Sequence, residues 1–412
     1  MIVKFNELYK DDIINQEKRF NYITEKFNEF FKCSVSPEFF SAPGRTEVGG
    51  NHTDHQRGAV VTASINLDIV AAAFKREDGI IVLKSDEYTK YDEIDTKDLE
   101  IKEKEIERSA SLIRGICKGL VDRGYKVGGF NAYTISSVLK GSGLSSSAAF
   151  EVLVVTILNH FYNEGKIDPV TVAQIAQFAE NVYFGKPSGL LDQMASSVGG
   201  FSAIDFENKA EPKIEKIDFD PAKYGYDLCV VDTGGSHADL TFEYAAIPGE
   251  MKKIAAHYGK EVLREVDEEK FMADLKELRA LYGDRAVLRA MHFFSDNKLA
   301  KLEAEALKAE DFETFKSYVI KSGKSSLQRL QNVFSVVNPQ EQGLTLALSI
   351  SEQILENKGA WRIHGGGFAG TIQAYVPKSL TKEYKAAIEA VFGEGTCHIL
   401  SVRSAGGTKI EK

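Results

Sequence analysis

The chain has 412 residues, 43% of them hydrophobic and 27% charged, with a formal net charge of −9. At about 100–200 residues per domain, this length suits two or three domains with sizeable cores. The acidic balance excludes a general nucleic-acid binder, and no run of about 18 apolar residues offers a membrane span.

The opening "MIVKFNELYKDDIINQEKRF" lacks the apolar stretch of a secretory leader. Cys33, Cys117, Cys229 and Cys397 lie far apart and form no CxxC pair. Reduced, buried thiols in a cytoplasmic protein are the expectation.

Phe20, Ile23, Phe27 and Phe30, spaced by three or four, predict a helix within the first 32 residues. The Pro and Gly cluster in "PEFFSAPGRTEVGGNHTDHQRG" predicts a loop. The β-branched run from Ala59 to Phe74 predicts a strand, as does "GIIVLKSDE". A helix in "SASLIRGICKGLVDRG" and a strand in "GFNAYTISSVL" come next. "GSGLSSSAAFEVLVVTILNHFY" reads as a loop entering a helix whose Ala149, Val152, Leu153, Ile157 and Phe161 share one face. Another helix is expected in "PVTVAQIAQFAENVYFG", then a Gly/Ser-rich loop, "GKPSGLLDQMASSVGG". Charged amphipathic helix dominates from about 250 to 330. The end alternates "AWRIH", "GGGFAG", "TIQAYV", a helix in "SLTKEYKAAIEAVF" and "CHILSV". Interspersed strands and helices give an α+β or α/β class, with a domain boundary near residue 205.

Several stretches carry chemistry. "HTDH" at 52–55 spaces His52 and His55 by three, with no helix indicated and no third ligand nearby. Helical zinc motifs space their histidines by four, so a polar clamp for a hydroxylated ligand is the better account. "GGGFAG" matches GxGxxG, but a strand pattern follows where a dinucleotide site needs a helix. In "GSGLSSSAAF", Gly141 and Gly143 let the backbone bend, and Ser145, Ser146 and Ser147 sit where a helix begins. Free N–H groups and the positive dipole end bind phosphate there. A plain helix cap would account for one serine, not for three with two glycines. Glu180 lies near the end of the next helix. Asp192 sits among apolar residues in "GLLDQM" on an expected loop, where a carboxylate needs a partner; Arg45 is a candidate.

Four stretches resemble the galactokinase branch of the GHMP family of small-molecule kinases: "APGRTEVGGNHTDH", "KGSGLSSSAAFEV", "AENVYFGKPSGLLDQM" and "RIHGGGFAGT", in that order over residues 41 to 376. The resemblance implies a two-domain α+β fold. An N-terminal mixed-sheet domain of the ribosomal-protein-S5 type would span 1–205, and a C-terminal ferredoxin-like α/β sandwich 206–412. The active site would lie in the cleft between them. It implies transfer of the ATP γ-phosphoryl, with Mg2+, to the anomeric hydroxyl of a hexose by a monomer or weak homo-oligomer. Arg45 and Asp192 would be the catalytic pair. His52, Asp54, Gly189 and Tyr244 would contact sugar, and Gly141, Gly143, Ser145, Ser146 and Ser147 would line the phosphate loop. Ser146, or Ser147 in its place, would hold magnesium with Glu180.

The chain departs from the family signature at several points. Asn51 stands where the family has the Glu that reads the sugar C6 hydroxyl, Glu47 where it has Asn, His55 where it has Tyr, and Ala369 where it has Gly. Asn51 can still bond a hydroxyl, and galactose is the expected substrate. An uncharged residue at that point would not repel a C6 carboxylate, which makes galacturonate the alternative. A non-catalytic galactose- and ATP-binding sensor is a further alternative, disfavoured by the intact "GLSSSAA".

Overall fold

The computed structural model describes residues 1–10, 12–138, 143–208, 210–235 and 240–412. Among these residues the strands are β1 (Ile2–Lys4), β2 (Glu38–Gly49), β3 (Ala59–Lys75), β4 (Ile80–Ser85), β5 (Tyr91–Asp95), β6 (Phe130–Ser136), β7 (Phe201–Asp205) and β8 (Lys213–Ile217). They continue with β9 (Tyr226–Asp232), β10 (Ala360–His364), β11 (Thr371–Pro377), β12 (Cys397–Leu400) and β13 (Thr408–Glu411). The first sheet runs β1-β13-β2-β3-β6-β4-β5, with β7 also paired to β3 and β8 to β7. It is mixed: β1–β13 and β4–β6 are parallel, and the other pairs are antiparallel.

The long strand β3 shows how this sheet is covered. Side chains alternate across a strand. Val70 and Ala72 face Phe20, Ile23 and Phe27 of the helix Ile13–Phe31. Ala71 and Ala73 join the larger core on the other face, with the helices Ser109–Asp122, Ser146–Tyr162 and Pro169–Phe178. The helix Ser146–Tyr162 is apolar nearly all round, which suits its central place between sheet and neighbouring helices.

The second sheet is antiparallel, in the order β10-β11-β9-β12. Cys229, Val231, Ile372 and Ala374 face the helices Gly343–Leu355 and Thr381–Phe392. Leu228, Val230 and Tyr375 point the other way and pack with Phe312, Phe315 and Val319 of the helix Phe312–Ser325. Two sheets with helix layers make the fold α+β. No helix among the described residues is long and apolar enough to cross a membrane.

Two expectations need correction. The stretch through Pro43 and Gly49 is strand β2, not loop. Its pairing with β3 shifts register between Pro43 and Arg45 and again between Glu47 and Gly49, and such bulges absorb residues that break regular pairing. The Gly/Ser-rich stretch after Gly185 contains the helix Leu191–Val198, which buries Leu191, Met194 and Val198. The first sheet draws strands from both sides of residue 205. β8 continues the first sheet as a hairpin partner of β7, and β13 returns to it between β1 and β2.

Candidate active site

Arg45 and Glu47 stand two residues apart on β2, and both line a cleft of about 950 Å3. Arg45 Nε donates to Asp192 Oδ1 at 2.7 Å, and its Nη1 donates to the Gly143 carbonyl. Asp192 lies in the first turn of the helix Leu191–Val198, where the helix dipole favours an anion. Its Oδ2 accepts from the Ser145 hydroxyl. Burial alone would raise the Asp192 pKa; the Arg45 charge and these hydrogen bonds outweigh it and hold the carboxyl below its ordinary value.

Gly143 and Ser145 both have positive φ, 68° and 57°. A Cβ at Gly143 would lie 2.6 Å from Thr371 Oγ1, so only glycine fits this turn beside β11. No side chain caps the helix Ser146–Tyr162, because Ser145 spends its hydroxyl on Asp192. The first amides of that helix remain available to an anion. Gly141 lies outside the described residues.

Glu180 sits in the π-helical turn Ala179–Phe184 and is almost fully buried. Its Oε1 accepts from Lys186 Nζ at 2.8 Å and faces Ser147 Oγ at 3.4 Å. Its Oε2 accepts from Ser188 Oγ and from Gln193 Nε2. Gln193 Nε2 also reaches Glu151 Oε2, and Glu151 Oε1 is buried without a partner. Burial, then the neighbouring Glu180 charge, pushes the Glu151 carboxyl well up. Glu180 beside the Ser147 and Ser188 hydroxyls, with the Glu151 carboxyl joined to it through Gln193, offers oxygen donors of the kind a hard divalent cation takes. Ser146 opens the same helix and is partly exposed.

His52 has φ 56°. Its Nε2 lies 2.9 Å from the Gly366 carbonyl, which can only accept, so Nε2 carries the proton and Nδ1 is left as an acceptor. Burial lowers its pKa to about 4, so the ring is neutral at pH 7. The His52 and His55 ring centroids lie 5.7 Å apart. Asp54 Oδ1 accepts from the His55 amide. Gly189 is pressed against this acid: a Cβ there would overlap Asp54 Oδ2. Tyr244 donates to the Gly367 carbonyl at 2.8 Å, and its ring lies against Gly366. All five line the same cleft. The "GGGFAG" stretch is the turn between antiparallel β10 and β11.

The expected C6 reader does not reach the cleft. Asn51 is fully buried. Its Nδ2 donates to Glu47 Oε1 at 2.8 Å and to the Gly365 carbonyl at 2.7 Å. Its Oδ1 accepts from Asn332 at 3.0 Å and Ser326 at 3.3 Å. Two donors and two acceptor positions are thus used, leaving none for a sugar. Sequence reasoning passed over Glu47 and Lys186 as cleft residues. Strand alternation puts Glu47 on the face of Arg45, a signal that becomes usable only once the stretch is known to be strand β2.

Residues 25–75 match the family description "Galactokinase galactose-binding signature", and residues 111–200 match "GHMP kinases N terminal domain". Over 371 residues the chain is 28% identical to the galactokinase of Actinobacillus pleuropneumoniae serotype 5b, covering 89% of this chain and 91% of that one. Over 400 residues it is 28% identical to the galactokinase of Streptomyces coelicolor, covering 94% and 98%. The Lactococcus lactis galactokinase complexed with galactose superposes with a TM-score of 0.81 at 26% identity, covering 95% and 99%. The Methanococcus jannaschii mevalonate kinase, at 14% identity, 90% and 99% coverage and a TM-score of 0.61, shares the fold.

Proposed function

We propose, from the premise that this chain belongs to the GHMP kinase family, that it is a sugar-1-kinase transferring the γ-phosphoryl of ATP to the anomeric hydroxyl of galactose. The observation that carries this is the Arg45–Asp192 pair in one cleft with the hydroxyl-binding groups of His52 and Asp54.

Phosphoryl transfer is mostly positioning and charge neutralisation. Orientation can supply roughly 7–11 kcal/mol of barrier reduction. With its pKa held down, Asp192 is a weak base at pH 7. It orients the anomeric hydroxyl and takes the proton late in the transfer. Arg45 holds Asp192 and stands to neutralise the transferring phosphoryl. His52 Nδ1 and the Asp54 carboxylate accept hydrogen bonds from sugar hydroxyls, and Tyr244 and Gly189 shape the pocket around the ring.

Gly143, Ser145 and the first amides of the helix Ser146–Tyr162 cradle the ATP phosphates. Ser146 or Ser147 with Glu180 would hold Mg2+, and the unpartnered Glu151 Oε1 beside them fits such a site. A bound Mg2+ neutralises phosphate charge as it develops. Lys186, on Glu180 Oε1, would have to yield its position.

Galacturonate is not favoured. The case for it needs a neutral residue reading C6, and Asn51 faces away from the cleft that Glu47 lines. Incubation with galactose and ATP, followed by 31P NMR, tests the proposal. Galactose 1-phosphate and ADP should appear together. ATP that stays intact with galactose, at enzyme concentrations high enough to see a single turnover, would overturn it.

A further inference from the structure

Glu47 is the one cleft-lining acid on β2, and its carboxylate is only half satisfied. Oε1 accepts from Asn51 Nδ2 at 2.8 Å and from Arg362 Nη2 at 2.9 Å. Both donors are fully buried behind the cleft wall. Arg362 also donates to the carbonyls of Val48, at 2.5 Å, and Ile363, at 3.1 Å, which fixes its guanidinium. The Glu47 amide donates to His364 Nε2, so the backbone is held as well. No described residue donates to Oε2. With Oε1 turned inward and the residue lining the cleft, Oε2 is the acceptor presented to a ligand.

Its place along the strand says which part of a ligand it meets. Two residues of strand span about 6.6 Å. Arg45 and its partner Asp192 mark the anomeric end of the sugar. Glu47 then stands about one pyranose ring further along the same face. The hydroxyls at that end of a hexose are those on C3, C4 and C6, and C6 is the one that a uronic acid replaces with a carboxylate.

We propose that Glu47 is a specificity-determining residue of the sugar site, accepting through Oε2 a hydrogen bond from a hydroxyl at the end of the hexose opposite its anomeric carbon, and that it thereby discriminates against sugars bearing a carboxylate there. This rests on the sugar-kinase reading. An almost buried carboxylate with one unsatisfied oxygen carries a desolvation cost that a hydroxyl donor relieves and a second carboxylate aggravates. Burial, against the opposing pull of Arg362 and Arg45, raises the Glu47 pKa to about 7, in keeping with an acid short of donors. Asn51 and Arg362 are then supports for the acid and not sugar contacts.

The test is kcat/KM for galactose, 6-deoxygalactose, glucose and galacturonate at about pH 8, where the acid is ionised. Glu47→Gln is the informative variant. Its amide oxygen can keep the bonds from Asn51 and Arg362, while the cleft-facing acceptor becomes a donor. The unaltered protein should prefer galactose over galacturonate by at least about 100-fold. In Glu47→Gln that ratio should shrink by about tenfold or more, mainly through KM, with a thermal midpoint near that of the unaltered protein. A folded Glu47→Gln with an unchanged ratio would overturn the proposal. So would an unaltered protein that uses both sugars equally, a result that stands even if the variant does not fold. Absence of ADP formation with any sugar would instead remove the kinase reading itself.

Discussion

Arg45 and Asp192, 147 positions apart in the chain, share a 2.7 Å hydrogen bond between Nε and Oδ1. The pair joins strand β2 to the first turn of the helix Leu191–Val198, and Ser145, just before the helix Ser146–Tyr162, closes on the same carboxylate. Asp192→Asn keeps the shape and removes the charge. It should lower kcat by about 100-fold or more while leaving the galactose KM within a few-fold. Initial-rate kinetics decide this, and near wild-type turnover would refute the role assigned to Asp192.

Gly189→Ala tests the sugar side of the site. The added Cβ would overlap Asp54 Oδ2 and lie 2.5 Å from its Cγ, so the acid must swing away. The galactose KM should rise by about tenfold or more, with the ATP KM little changed. An equal rise in both constants would point to a general distortion of the cleft.

Asn51→Ala separates support from recognition. It strips partners from Glu47, Gly365, Ser326 and Asn332 in a buried setting. Unsatisfied buried groups should cost about 1–3 kcal/mol, read from urea unfolding. The galactose-to-galacturonate ratio should move far less than in Glu47→Gln. A large switch of sugar preference with unchanged stability would restore Asn51 as the reader.

His52 makes stability depend on pH. Burial lowers its folded pKa to about 4, against an ordinary 6.5 in the unfolded chain. Between these values the unfolded state binds more protons, so stability is lost as pH falls through this window. The loss should reach roughly 2 kcal/mol, below the full value for the shift because the ring keeps some water contact. His52→Gln should flatten the slope between about pH 6.5 and 4 in chemical denaturation. An identical slope in both proteins would show that the ring is not held neutral.

Long periodic elements were legible in the sequence. The helix Ile13–Phe31 is marked by Phe20, Ile23 and Phe27, and β3 by its β-branched and alanine run, because burial on one face leaves a pattern in composition. Strand β2 was not legible. Pro43, Gly44 and Gly49 read as loop, and only pairing with β3 makes them strand. The helix Leu191–Val198 was missed because it is short, serine-containing and bounded by glycine-rich segments, so its local propensity is weak and packing decides it.

The sequence by itself determined the chemical inventory and its order: an arginine with a His and an Asp soon after it, a glycine–serine loop opening a helix, then Glu180 and Asp192. These residue types suit phosphate and hydroxyl binding because their donors and acceptors match such groups. Only the tertiary structure decided which of Glu47 and Asn51 meets the cleft. The register of β2 shifts between Glu47 and Gly49, and a shift at one position reverses the facing of the residues beyond it. Arg362, brought from the second sheet, then draws Glu47 Oε1 inward, and Asn51 is consumed by Asn332, Ser326 and Gly365. Those partners lie hundreds of residues away, so nothing local could reveal them.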